Sequence, residues 1–122
     1  MSTHILVVDD EKTVRRSVGA MLERYGYTVL LAQDGERAVD LFRRAGSQIS
    51  LVLLDLTMPV MSGEETLRQL KDIRPEVRVV LSSGYNETEA IRHFSGMGLN
   101  GFLQKPYTPT ELAEKMKAVL AE

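Results

Sequence analysis

The chain contains no cysteine. That absence excludes disulfide staples, thiolate nucleophiles and zinc-thiolate centres, and it fits a reducing compartment. Long apolar runs are missing too. Met1-Ser2-Thr3-His4 leads directly into a short strand-like segment, so neither a signal peptide nor a membrane span is expected, and the cytoplasm is the default location. Nor is there an excess of positive charge. The formal net charge is -2, and basic residues cluster only as pairs such as Arg15-Arg16 and Arg43-Arg44, which leaves no electrostatic footprint for nucleic acid. No linker, repeat or low-complexity stretch interrupts the 122 residues, so residues 1–122 are expected to form one domain.

What the chain does have is a buried-strand pattern that ends on a charge. Leu51-Val52-Leu53-Leu54 reads as a strand covered on both faces, the signature of an inner strand in a parallel sheet, and Asp55 follows at once. Pro59 argues against a continuing helix. A carboxylate at the end of a buried strand is costly unless it reaches an opening with partners, which places Asp55 at the rim of the sheet.

The rest of the chain alternates strand and helix around that segment. Ile5 to Val8 is a strand ending on Asp9-Asp10, and Val14, Val18, Met21, Leu22 and Tyr25 recur at helical spacing until Gly26. Thr28 to Ala32 is a strand; Asp34 caps a helix with Ala38, Leu41, Phe42 and Ala45 on its inner stripe, closed by Gly46. After the Asp55 strand, Ser62 and Glu65 form a capping box opening a helix that Pro75 stops. Val77 to Leu81 is a strand ending on Ser82-Ser83-Gly84, before a weakly apolar helix with an Asn86/Glu89 cap signal running through Ala90, Ile91 and Phe94. Phe102-Leu103 is a short strand ending at Lys105-Pro106, and Thr108-Pro109-Thr110-Glu111 combines a capping box with proline at the first helical position.

Five strand-helix units predict an α/β fold, a doubly wound parallel sheet with five helices on its two faces, because parallel strands need crossovers and crossovers cover faces. Ligands of such sheets bind outside the carboxyl ends of the strands. That rim collects Asp9, Asp10, Asp55, Ser82 and Lys105. Each alone has a plainer role: helix capping for the acidic pair, a turn for Ser82, a solvated strand end for Lys105. Together they should either raise a carboxylate pKa or bind a positive ion, since two carboxylates about 4 Å apart repel by about 4 kcal/mol at an effective dielectric near 20. With only oxygen ligands on offer, a hard ion such as Mg²⁺ is the natural choice.

These residues carry a resemblance. From Ile5 to Leu120 the chain is similar to a response-regulator receiver domain: the acidic pair after an apolar strand, Asp55 in Leu-Leu-Asp-Leu-Thr-Met-Pro-Val-Met-Ser-Gly, a hydroxyl residue ending the fourth strand, and Lys105-Pro106 stand in that family's order. The resemblance implies a flavodoxin-like sheet of order 2-1-3-4-5. It also implies that Asp55 takes a phosphoryl group from the phosphohistidine of a histidine kinase or phosphotransfer domain. Asp10, Asp55 and the Thr57 backbone carbonyl would hold Mg²⁺, Asp9 would help through water, and Lys105 would contact the phosphate. Ser82-Ser83 stands where the family has a single Thr or Ser before a small residue. Ser82 is assigned the switch hydroxyl, acting on a surface near Phe102, with Ser83 as the alternative. Ser-Gly-Tyr after Ser82, and Gly101 to Pro106, resemble receivers attached to hybrid sensor kinases. Such a domain phosphorylates and dephosphorylates its own Asp55 and is not by itself a turnover enzyme.

Three rivals share parts of the pattern. A flavodoxin-like nucleotide or flavin module would need a phosphate-friendly first loop, whereas Asp9-Asp10-Glu11 repels phosphate unless metal is present. An aspartyl-nucleophile phosphatase, by its own resemblance, carries a second acid two residues after the nucleophile, where Thr57 stands. A receiver used only for docking would not need the full site set.

Overall fold

The apolar periods resolve into two buried layers on either side of one sheet. In the computed structural model, which describes residues 3–56, 62–84, 88, 92, 94 and 96–122, the chain runs β1 (His4–Val8), α1 (Lys12–Arg24), β2 (Thr28–Ala32), α2 (Gly35–Ala45), β3 (Ile49–Asp55), α3 (Gly63–Ile73), β4 (Arg78–Ser83), β5 (Gly101–Gln104) and α4 (Pro109–Leu120). All pairings are parallel and the strand order is β2-β1-β3-β4-β5, the doubly wound order expected. Four helices lie among the described residues; the helix expected through Ala90 and Ile91, with its Asn86/Glu89 cap, falls outside them, although Phe94 is buried.

Strand alternation sorts the core. Leu6, Val8, Val52, Leu54, Val79, Leu81 and Phe102 pack on one face against Ala38, Val39 and Phe42 of α2 and Leu67 and Leu70 of α3. Ile5, Val7, Leu51, Leu53, Val80 and Leu103 pack on the other against Val18 and Leu22 of α1 and Leu112, Met116 and Val119 of α4. Successive strand residues point to opposite faces, so a run that is apolar at every position must be covered twice.

Local chemistry sets the helix ends. Asp34 Oδ1 accepts from the Arg37 amide at 2.8 Å. Gly26, at φ 91°, supplies the left-handed turn after α1. At α4 the capping box is complete: Thr108 Oγ1 accepts from the Glu111 amide and Glu111 Oε1 from the Thr108 amide, with Pro109 starting the helix. At α3 only half of the expected box forms. Ser62 Oγ accepts from the Glu65 amide, but the Glu65 carboxylate is drawn outward by Arg68 and Gln69. Gly63 opens α3 against the end of β3, where a Cβ would lie 2.8 Å from the Leu56 carbonyl oxygen. Only glycine lets the helix start that close to the rim.

β4 runs further than the apolar pattern suggests. Its serines belong to the ladder, because Leu56 donates to the Ser82 carbonyl at 2.9 Å and Lys105 to the Ser83 carbonyl at 2.7 Å. Backbone pairing with both neighbours carries the strand past the point where hydrophobicity stops.

Candidate functional site

The strand register brings the rim residues together. Val8 is aligned with Leu54, Asp55 with Ser82, and Ser82 with Leu103. Counting alternation onward, Asp9, Asp55, Ser82 and Lys105 all continue the face of β1, β3, β4 and β5 that packs against α1 and α4. Asp9 and Asp55 are only 4% and 6% exposed, whereas Asp10 is exposed. Carboxylate oxygens of all three lie within 4.8 Å of one another.

Asp9 is held at every polar atom. Its amide donates to the Ala32 carbonyl at 3.1 Å, Oδ1 accepts from the Glu11 amide at 3.0 Å, Oδ2 accepts from Lys105 Nζ at 3.0 Å, and its carbonyl oxygen accepts from Arg15 Nη1 at 2.8 Å. Lys105 also reaches Asp55, with Nζ 3.5 Å from Oδ1. One ammonium thus bridges two buried carboxylates, as the repulsion among them requires. Burial by itself would depress the Lys105 ammonium, yet its hydrogen bond to Asp9 and the charges of Asp55 and Asp9 outweigh that and hold its pKa above the ordinary value.

The pleat divides the two serines. Both are buried, but Ser82 shares the side of Asp55 and Lys105, while Ser83 shares that of Leu81 and Phe102. The sequence expectation coupled the Ser82 hydroxyl to the surface near Phe102. Alternation separates those two, and it is Ser83 that lies on the Phe102 face. Thr57 lies outside the described residues.

Neither Arg15 nor Tyr107 is singled out as a site residue by the sequence pattern. Arg15 sits one turn into α1, where its guanidinium reaches back to the end of β1; the Arg15-Arg16 pair reads as surface charge. Tyr107 follows the lysine loop, and burial, with the charges of Asp9 and Asp55, pushes its phenol up to about 12. An aromatic two residues beyond a rim lysine is the one available hint. Beside Lys105, an apolar groove of about 480 Å³ runs between α1 and this loop, lined by Val14, Val18, Met21, Pro106 and Tyr107.

The donor set fits a hard divalent cation: carboxylate oxygens only, clustered and partly open at Asp10, with a lysine already offsetting their charge. A sheet of this order is the flavodoxin-like doubly wound α/β fold, whose ligands bind outside the carboxyl ends of the strands, the edge where the acidic rim lies. The chain belongs to the response regulator receiver domain family, whose model matches residues 5–117. It is 34% identical over 119 residues to the sensor kinase CckA of Brucella abortus, an overlap covering 98% of this chain and 13% of that protein. It is 37% identical over 121 residues to the response regulator MprA of Mycolicibacterium vanbaalenii, covering 98% and 51%. The chain therefore spans about half the length, or less, of these relatives. Among solved structures, a response regulator receiver domain protein from Clostridium thermocellum superposes with a TM-score of 0.91 at 28% identity, covering 98% of this chain and 94% of that one.

Proposed function

We propose that residues 1–122 act as one receiver domain that accepts a phosphoryl group on Asp55 from a phosphohistidine, on a histidine kinase or a phosphotransfer domain, and changes its partner binding in response. The observation that carries this reading is the Lys105 ammonium set between Asp9 and Asp55 beside an exposed Asp10. It joins a nucleophile, an ion site and a phosphate-binding cation within one small rim.

In the transfer, an Asp55 carboxylate oxygen forms the new bond to phosphorus as the bond to the imidazole nitrogen breaks. Mg²⁺, when bound, supplies charge that neutralises the equatorial oxygens. Asp10 and Asp55 would hold it with the Thr57 carbonyl, while Asp9, whose oxygens are already engaged, would act through water. Lys105 stays charged and follows the incoming phosphoryl oxygens. Ser82, on the same face, donates to the phosphoryl group, and Ser83 relays the change to the Phe102 face. The apolar groove beside Lys105 seats the phosphodonor's surface, so that its histidine approaches Asp55 over the α1 end of the sheet. No helix among the described residues is long and apolar enough to cross a membrane, and a cytoplasmic site of action is part of the proposal.

Acetyl phosphate with Mg²⁺ tests the acceptor. Mass spectrometry should find phosphate on Asp55, lost in alkali as acyl phosphates are, and none after Asp55→Asn. Phosphate on Ser82 or Ser83, or no labelling of the parent, would overturn the reading.

A further inference from the structure

Asp9 and Asp10 are joined by one peptide, and the carbonyl oxygen of that peptide is the atom that Arg15 Nη1 grips at 2.8 Å. We propose that Arg15 is a positioning residue for the metal site: it fixes the plane of the Asp9-Asp10 peptide and thereby aims the Asp10 carboxylate at Asp55. The proposal rests on the Mg²⁺ reading given above.

The case comes from what holds each acid. The Asp9 side chain is tied by the Glu11 amide and by Lys105, and its amide by the Ala32 carbonyl. No hydrogen bond or ion pair of the Asp10 side chain occurs among the described residues, and that side chain is exposed. Its place within 4.8 Å of the other carboxylates is therefore set by its backbone. Among the described residues, the side chain that holds the carbonyl of the shared peptide is Arg15, which is half-buried and anchored in α1 through its own amide to the Glu11 carbonyl at 2.8 Å. A planar guanidinium with several donors suits this task better than a single ammonium.

The two effects of this cation have opposite signs. As a positive charge near an acidic site, Arg15 repels Mg²⁺, so deleting it would strengthen binding if charge alone mattered. As a positioning residue it favours binding, and deleting it weakens binding. Arg16, its exposed neighbour, controls for charge.

The experiment is calorimetric titration of the whole chain with magnesium chloride, for the parent, Arg15→Met, Arg15→Lys and Arg16→Met, with amide NMR spectra of each without metal. Arg15→Met should raise the Kd by about tenfold, the low end of the effect of losing a supporting contact behind a metal ligand. Arg15→Lys should fall in between, Arg16→Met should bind as the parent or slightly tighter, and metal-free Arg15→Met should show shifts at Asp10 and Glu11. If Arg15→Met binds as tightly as the parent or tighter, the proposal is overturned. Should that variant fail to fold, Arg15→Gln and Arg15→Lys decide by the same comparison. A parent that binds no Mg²⁺ would instead remove the metal reading on which the proposal stands.

Discussion

Replacing Lys105 by methionine tests whether its ammonium is the cation that lets three carboxylates share one rim. The side chain keeps an unbranched stem, one atom shorter, and loses the charge of the ammonium together with its hydrogen bond to Asp9. At an effective dielectric near 20, contacts of 3.0 and 3.5 Å to Asp9 and Asp55 are each worth about 5 kcal/mol of gross attraction. Desolvation cancels much of this, since the lysine side chain is only 26% exposed and the two acids are buried. What the variant loses is compensation: carboxylates within 4.8 Å of one another would repel by about 3 kcal/mol per pair on the same scale. Breaking a buried pair from one side typically costs about 3 to 5 kcal/mol, and the open Asp10 edge lowers the expectation to about 2 to 3 kcal/mol. Urea unfolding followed by circular dichroism should show that loss without divalent ions. Saturating Mg²⁺ should restore most of it, because the metal takes over the missing charge, and the variant should bind Mg²⁺ more tightly than the parent. An equal loss with and without Mg²⁺, or weaker Mg²⁺ binding by the variant, would refute the reasoning.

Two further outcomes are expected. Amide NMR shifts around Gly101 to Gln104, with and without beryllofluoride, should be blunted by Ser83→Ala, whereas Ser82→Ala should leave that response and shorten the lifetime of the acyl phosphate; the reverse pattern would mean that the pleat does not separate the two roles. In alkali, the phenolate absorbance should show Tyr107 titrating at about 12, above the ordinary tyrosine value of about 10, and this late step should vanish in Tyr107→Phe. A tyrosine that keeps its proton longer when folded stabilises the fold below its unfolded pKa and loses that contribution as pH rises from about 10 to about 12; Lys105, raised from 10.5, acts in the same direction. Mg²⁺ should lower the Tyr107 value, because it neutralises the carboxylates that help to raise it.

The order of strands and helices was legible because it rests on local periodicity: a run such as Leu51 to Leu54 must be covered on both faces whatever surrounds it. The Thr108 capping box was legible for the same reason, being a reciprocal bond within four residues. The rim cluster followed from topology, since parallel strands all end on one edge. Tertiary structure decided what local pattern cannot carry. Whether Glu65 completes its cap depended on Arg68 and Gln69 competing for its carboxylate. Which serine faces Asp55 depended on register across β3 and β4, because a slip of one residue would exchange the two. The division of the acids into a fully engaged Asp9 and an open Asp10 arose from Lys105, far away in the chain, and from Arg15, whose side chain turns back from the next helix. Sequence by itself determined which groups arrive at the rim; only the packed chain determined which of them are already occupied, because hydrogen bonds between distant segments have no period to read.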